Sequence, residues 1–88
     1  MFKNGDIVRH FKRELLSAAE LEGEPNMYLY EIIGEAEHTE TGEKLVVYRP
    51  LYGDRALYAR PTEMFCSEVD REKYPQVNQK MRFVKIKK

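Results

Sequence analysis

Apolar and polar residues alternate most regularly between Met27 and Thr39. Ile32, Gly34, Ala36 and His38 fall on one face of an extended chain, and Glu31, Glu35, Glu37 and Thr39 on the other, with Ile33 as the exception. A period of two is what a half-buried strand shows. Gly34 marks a bulge or sharp bend in it. Glu40-Thr41-Gly42-Glu43 then predicts a hairpin turn, because Gly42 supplies the positive φ such turns demand. Lys44 to Leu51 follows as a second strand, with Leu45 and Val47 on one face and Val46 and Tyr48 on the other. Both faces are apolar, which places this strand centrally. Gly53-Asp54-Arg55 is the next turn, and Ala56 to Arg60 is a third strand of the same sheet, ended by Pro61.

The two ends of the chain complete the pattern. Asp6 to Phe11 is a short mixed run after Gly5, and Met81 to Ile86 reads as a last strand with Arg82, Val84 and Ile86 sharing a face. Between the first two strands, Leu15 to Leu21 has helix-favouring composition. Ser17-Ala18-Ala19-Glu20 fits a capping box, and Gly23 and Pro25 stop the helix. Thr62 can cap a helical turn over Glu63 to Cys66, and Asp70 to Tyr74 is a further turn closed by Pro75. About five short strands with tight turns predict a small mainly β domain that curls into a barrel and hides its edges. The expected core is Ile32, Ala36, Leu45, Val47 and Leu57, with residues 13–26 inserted outside it.

Composition narrows the class. The chain has 88 residues, enough for one domain and too few for two. Its apolar fraction of 42% suits a globular chain rather than a disordered one. One cysteine, Cys66, excludes an internal disulfide. No apolar run approaches the ~20 residues of a membrane helix, and Met1-Phe2-Lys3-Asn4-Gly5-Asp6 lacks the apolar core of a signal peptide. The expected location is cytoplasmic, with no membrane partner. Net charge is zero but unevenly spread: residues 14 to 40 hold eight glutamates and no Lys or Arg, whereas Lys80, Arg82, Lys85, Lys87 and Lys88 lie in an acid-free C-terminal stretch. That stretch is either a basic tail that meets phosphate or a solvated segment that attracts the acidic one.

Several of these residues together carry a family likeness. Arg9-His10-Phe11-Lys12, His38-Thr39-Glu40-Thr41-Gly42-Glu43-Lys44-Leu45-Val46-Val47-Tyr48-Arg49, Leu51-Tyr52-Gly53-Asp54, Leu57-Tyr58-Ala59-Arg60-Pro61, Met64-Phe65 and Arg82-Phe83 occur in that order. In this the chain resembles the bacterial family called domain of unknown function 1653, over nearly its whole length. The resemblance implies an SH3-like barrel and supplies no activity. The chain departs from the family's pattern by inserting Arg13 to Asn26, and by placing Tyr58 where Trp is frequent.

Candidate chemistry gathers in His10, His38, Glu40, Tyr48, Arg49, Tyr58 and Arg60. Tyrosine faces beside guanidinium groups suit planar or anionic ligands; the alternative is that Tyr48 and Tyr58 fill the core and Arg60 pairs with a glutamate. His38 and Glu40 share a strand face, so an acid–base pair is one reading and a structural hydrogen bond donated by His38 the other. His10 and His38 form no recognised metal motif, and no metal or cofactor is predicted. Cys66 beside Phe65 reads as an inert thiol. The preferred function is a non-catalytic binding module for a peptide, a nucleic acid or a small anionic or planar ligand. The alternative is a small enzyme with a His/Glu acid–base site.

Overall fold

The central hairpin forms where the pattern places it. In a computed structural model describing residues 2–87, strand β2 (Leu29–Glu37) runs antiparallel to β3 (Lys44–Pro50). The turn is closed by His38 N–H to the Glu43 carbonyl at 2.8 Å and Gly42 N–H to the His38 carbonyl at 2.9 Å, with Gly42 at φ +75°. Tyr30 pairs with Pro50 and Ile32 with Tyr48, but Gly34, not Ile33, pairs with Val47. Ile33 is therefore the extra residue of a bulge, and the bulge inverts the alternation along β2.

That inversion corrects the expected core. Ile32 is 2% exposed and belongs with Val46 and Tyr48, not with Val47. Ala36 does lie opposite Leu45, but both are only half-buried. Leu57 precedes β4 (Tyr58–Pro61) and is 59% exposed. The observed core joins Val8, Tyr30, Ile32, Val46, Tyr48, Phe65 and Phe83. Phe65 comes from a single helical turn, α2 (Thr62–Phe65), and stacks on Phe83 at 3.9 Å between centroids. Pro61 rather than Thr62 occupies the N-cap of that turn, and the buried Thr62 Oγ1 has no hydrogen-bond partner.

Strand β1 (Ile7–His10) pairs with β2 on one side and with β5 (Phe83–Lys87) on the other, giving a five-stranded antiparallel sheet in the order β4-β3-β2-β1-β5. The two edge strands are not hydrogen-bonded to each other, so the sheet does not close into the expected barrel. It is nevertheless strongly curled, since Tyr48 on β3 lies 6.0 Å from Phe83 on β5, across two intervening strands.

A second cluster has no counterpart in the strand pattern. Phe11, Val69 and Val77 are buried together, with Tyr74 packed against them. Phe11 opens a 3-10 helix, Phe11–Leu15, and the other three come from the segment between α2 and β5. That segment is tied down by the Glu14 carboxylate, which accepts Asn78 N–H at 2.8 Å and Gln79 N–H at 2.7 Å. The buried Gln79 amide in turn donates to the carbonyls of Arg9, Met81 and Arg82. The inserted helix α1 (Ala18–Gly23) carries the full Ser17/Glu20 capping box and buries none of its residues. Its root is part of the fold, because Arg13 Nη1 donates to the Met27 carbonyl at 2.7 Å. Among the described residues, no helix is long and apolar enough to cross a membrane. Of the basic stretch, Lys85 lies 3.6 Å from Asp6; Lys88 and the Lys87 side chain fall outside the described residues.

Candidate functional site

His10 ends β1 on the same sheet face as Val8, opposite Phe83. Its ring is held by Phe11 at 4.4 Å, Phe83 at 4.9 Å and Tyr28 at 5.7 Å. Its Nδ1 accepts the Lys12 N–H at 3.1 Å, which caps the 3-10 helix. Arg60 on β4 pairs in register with Val46 and so faces the same concave side. Curling of the sheet brings these two strands together: His10, Phe11, Lys12, Arg60, Asp70, Lys73, Tyr74 and Arg82 line one cleft of about 280 Å³.

The electrostatics of this cleft are one-sided. Lys12, Arg60, Lys73 and Arg82 contribute four cations, and Asp70 is the only carboxylate in the lining. Oδ1 of Asp70 already accepts the Glu72 and Lys73 N–H groups at 3.0 and 3.3 Å, organising its own turn. None of the four cations is in an ion pair among the described residues. Arg82 Nε is buried without a hydrogen-bond partner, an arrangement that costs about 1–3 kcal/mol when nothing offsets it. Burial, followed by the positive charges of Lys12, Arg60 and Arg82, lowers the His10 pKa to about 4. The imidazole is therefore neutral at pH 7. With Nδ1 acting as acceptor, its proton sits on Nε2, so His10 is a neutral donor beside four cations.

A tyrosine surface adjoins the cleft. Tyr48 and Tyr58 lie opposite each other on β3 and β4, with rings 5.9 Å apart. The Tyr30 and Tyr52 hydroxyls are 2.7 Å apart, and Tyr52 packs on Tyr28 at 6.0 Å. Burial pushes the phenol pKa of Tyr30 above its ordinary range, and the hydrogen bond with Tyr52 adds to this. Tyr28 has φ +63°, a left-handed conformation unusual for a bulky side chain.

Residues 6–85 match the family described as Protein of unknown function (DUF1653). The chain belongs to the DUF1653 family. The matched span includes every residue lining the cleft. No curated protein and no solved structure matches this DUF1653 chain.

Of the residues singled out in the sequence, the DUF1653 fold brings His10 and Arg60 into the cleft and pairs Tyr48 with Tyr58 beside it. Tyr48 is 5% exposed and belongs to the core, whereas Tyr58 is 46% exposed. Arg49 faces Glu31 at 3.9 Å and does not line the cleft. His38 and Glu40 sit in the exposed hairpin turn, also outside it. There His38 Nδ1 accepts the Glu40 and Thr41 N–H groups at 3.2 and 3.4 Å, an acceptor where a donor was expected. Lys12, Lys73 and Arg82 were missed. They come from three separate segments, and only the packing of residues 66–82 against Phe11 assembles them. Cys66 is half-buried against the main core. No group of three or more His, Cys, Asp or Glu suited to a metal occurs among the described residues.

Proposed function

We propose that this DUF1653 domain is a non-catalytic binding module whose cleft takes a small anionic group. The observation that carries the reading is a cleft in which four cations, none in an ion pair among the described residues, surround a single engaged carboxylate. Anions with several oxygens suit such a site, because each guanidinium presents a planar fork of donors. On this reading the domain is an incompletely closed SH3-like barrel. The strand order, with a helical turn between β4 and β5, supports that assignment. The acid–base alternative is less well supported. His38 and Glu40 both sit in the exposed hairpin turn outside the cleft, and His38 Nδ1 is engaged by the Glu40 and Thr41 N–H groups.

Calorimetric titration with inorganic pyrophosphate at constant ionic strength tests the reading. Wild-type protein should bind, and Arg60→Ala should weaken binding by about 10- to 100-fold, the range for losing one charge-assisted hydrogen-bond set. Absence of binding by pyrophosphate and sulfate at millimolar concentration would reject it.

A further inference from the structure

We infer that the anionic group is the phosphate of a nucleotide, whose base lies on the surface formed by Tyr28, Tyr52 and Tyr58. This inference rests on the cleft being an anion site and goes further by naming the class of molecule that carries the anion.

The geometry joins the two surfaces at two points. His10 lines the cleft, and its ring is 5.7 Å from Tyr28, which in turn packs on Tyr52 at 6.0 Å. Arg60 also lines the cleft, and Tyr58 is two residues earlier on the same face of β4. Two residues of strand span about 6.6 Å, which is comparable with the reach from a 5′-phosphate across a ribose to its base. A phosphate held by Arg60 and Arg82 therefore leaves an attached base within reach of an aromatic face.

Two further observations point to a ligand at these tyrosines. Tyr58 sits on an edge strand at 46% exposure, although an aromatic side chain normally gains from burial. Tyr28 is held in the left-handed region, with its ring between those of His10 and Tyr52. Strain of that kind persists where the surrounding structure enforces a side-chain position, and it clusters at ligand sites. Aromatic platforms next to basic side chains are the common means of holding an unstacked base.

The charge distribution limits the size of the ligand. The chain has no net charge, and its acidic segment lies within residues 14–40. The four cations gather in one cleft of about 280 Å³ rather than along a basic stripe, which suits one phosphate with its attached nucleoside better than a long polyanion. The ligand is thus a free nucleoside monophosphate or the phosphorylated end of a single strand. The two share the same recognised chemistry.

Calorimetry with adenosine 5′-monophosphate, ribose 5-phosphate, phosphotyrosine and a hexadeoxynucleotide with and without a 5′-phosphate tests the inference. Adenosine 5′-monophosphate should bind about 5- to 100-fold more tightly than ribose 5-phosphate, the gain expected from one stacked base. Tyr58→Leu should abolish that gain and leave ribose 5-phosphate affinity unchanged, and Tyr28→Asn, which also removes a ring packed on His10, should lower the ratio of the two affinities. Asn tolerates the left-handed backbone, which keeps the second variant folded. Tighter binding of the phosphorylated than the unphosphorylated hexanucleotide, at or above the affinity of the mononucleotide, supports the inference and identifies a strand end as the source. Equal affinity for ribose 5-phosphate and adenosine 5′-monophosphate overturns it while leaving the anion site standing. Tighter binding of phosphotyrosine than of the nucleotide overturns it in favour of a protein-borne phosphate. Failure of every phosphate probe, pyrophosphate included, overturns both readings.

Discussion

Protonation of His10 should destabilise this domain, and the effect can be sized from the structure. The imidazole pKa is about 4 in the folded chain against 6.5 for an ordinary histidine, because of burial and the charges of Lys12, Arg60 and Arg82. Between those two values the unfolded chain binds more protons than the folded one, so stability rises with pH. The contribution is fully present above about pH 6.5 and is lost as pH falls towards 4. At about 1.36 kcal/mol per pH unit the gap sets a ceiling of about 3 kcal/mol. Solvent screening in a partly open cleft reduces this to roughly 1–2 kcal/mol. The assay is a difference between two proteins, so that contributions common to both cancel. Urea unfolding of wild type and His10→Asn is compared from pH 7 to pH 4.5, with the Asn Oδ1 retaining an acceptor for the Lys12 N–H at the position of His Nδ1. The wild type should lose roughly 1–2 kcal/mol more than the variant. Proton NMR should place the His10 pKa well below 6. A His10 pKa of 6 or above, or parallel pH profiles for the two proteins, would refute the placement of His10 as a buried imidazole beside the cations of the cleft.

Three other outcomes follow from the packing and the charge. Glu14→Ala should lower the urea midpoint by the equivalent of about 1–2 kcal/mol, since its carboxylate accepts the Asn78 and Gln79 amides; an unchanged midpoint would show that the segment is held by Gln79 and the apolar cluster alone. Val46→Ala should cost about 2 kcal/mol and Val47→Ala about half as much, because Val46 is 4% exposed and Val47 only half-buried; the reverse order would contradict the bulge register. Pyrophosphate at about ten times its Kd should raise Tm by roughly 6–11 °C over chloride at matched ionic strength, and an equal Tm in the two salts would contradict anion binding to the folded chain.

Local signals were legible wherever a few adjacent residues determine the conformation. Gly42 fixed the hairpin, and Ser17 with Glu20 announced the helix start. The run from Lys44 identified a strand apolar on both faces. The error in the core came from a single residue. Ile33 looked like an exception to the alternation of β2, yet it is the bulged residue that turns Ile32 towards Tyr48 and leaves Ala36 with Leu45. Pattern reading assumes an unbroken period of two, and Gly34 gave the place of the interruption without its direction. The cleft was half legible for a different reason. His10 and Arg60 stand at the ends of recognisable strands, whereas Lys73 and Arg82 flank a segment with little regular structure. That segment is positioned by Glu14 and Gln79 at sequence separations of 64 to 70 residues. No local pattern encodes such contacts. Closure of the barrel was inferred from the cost of exposed strand edges, but β4 and β5 are short, and lysine at Lys85 protects one of them.

The most direct measurement of the central claim is an NMR titration of the isotope-labelled protein with pyrophosphate, read at the backbone amides and at the arginine Nε–H groups. Anion binding in the cleft predicts saturable shifts concentrated at His10, Lys12, Arg60, Lys73 and Arg82, with the side-chain signals of Arg60 and Arg82 moving more than that of Arg49, which lies outside the cleft. Shifts that fail to saturate, or that centre on Lys44 and Lys85 while the side-chain signals of Arg60 and Arg82 stay still, would contradict it.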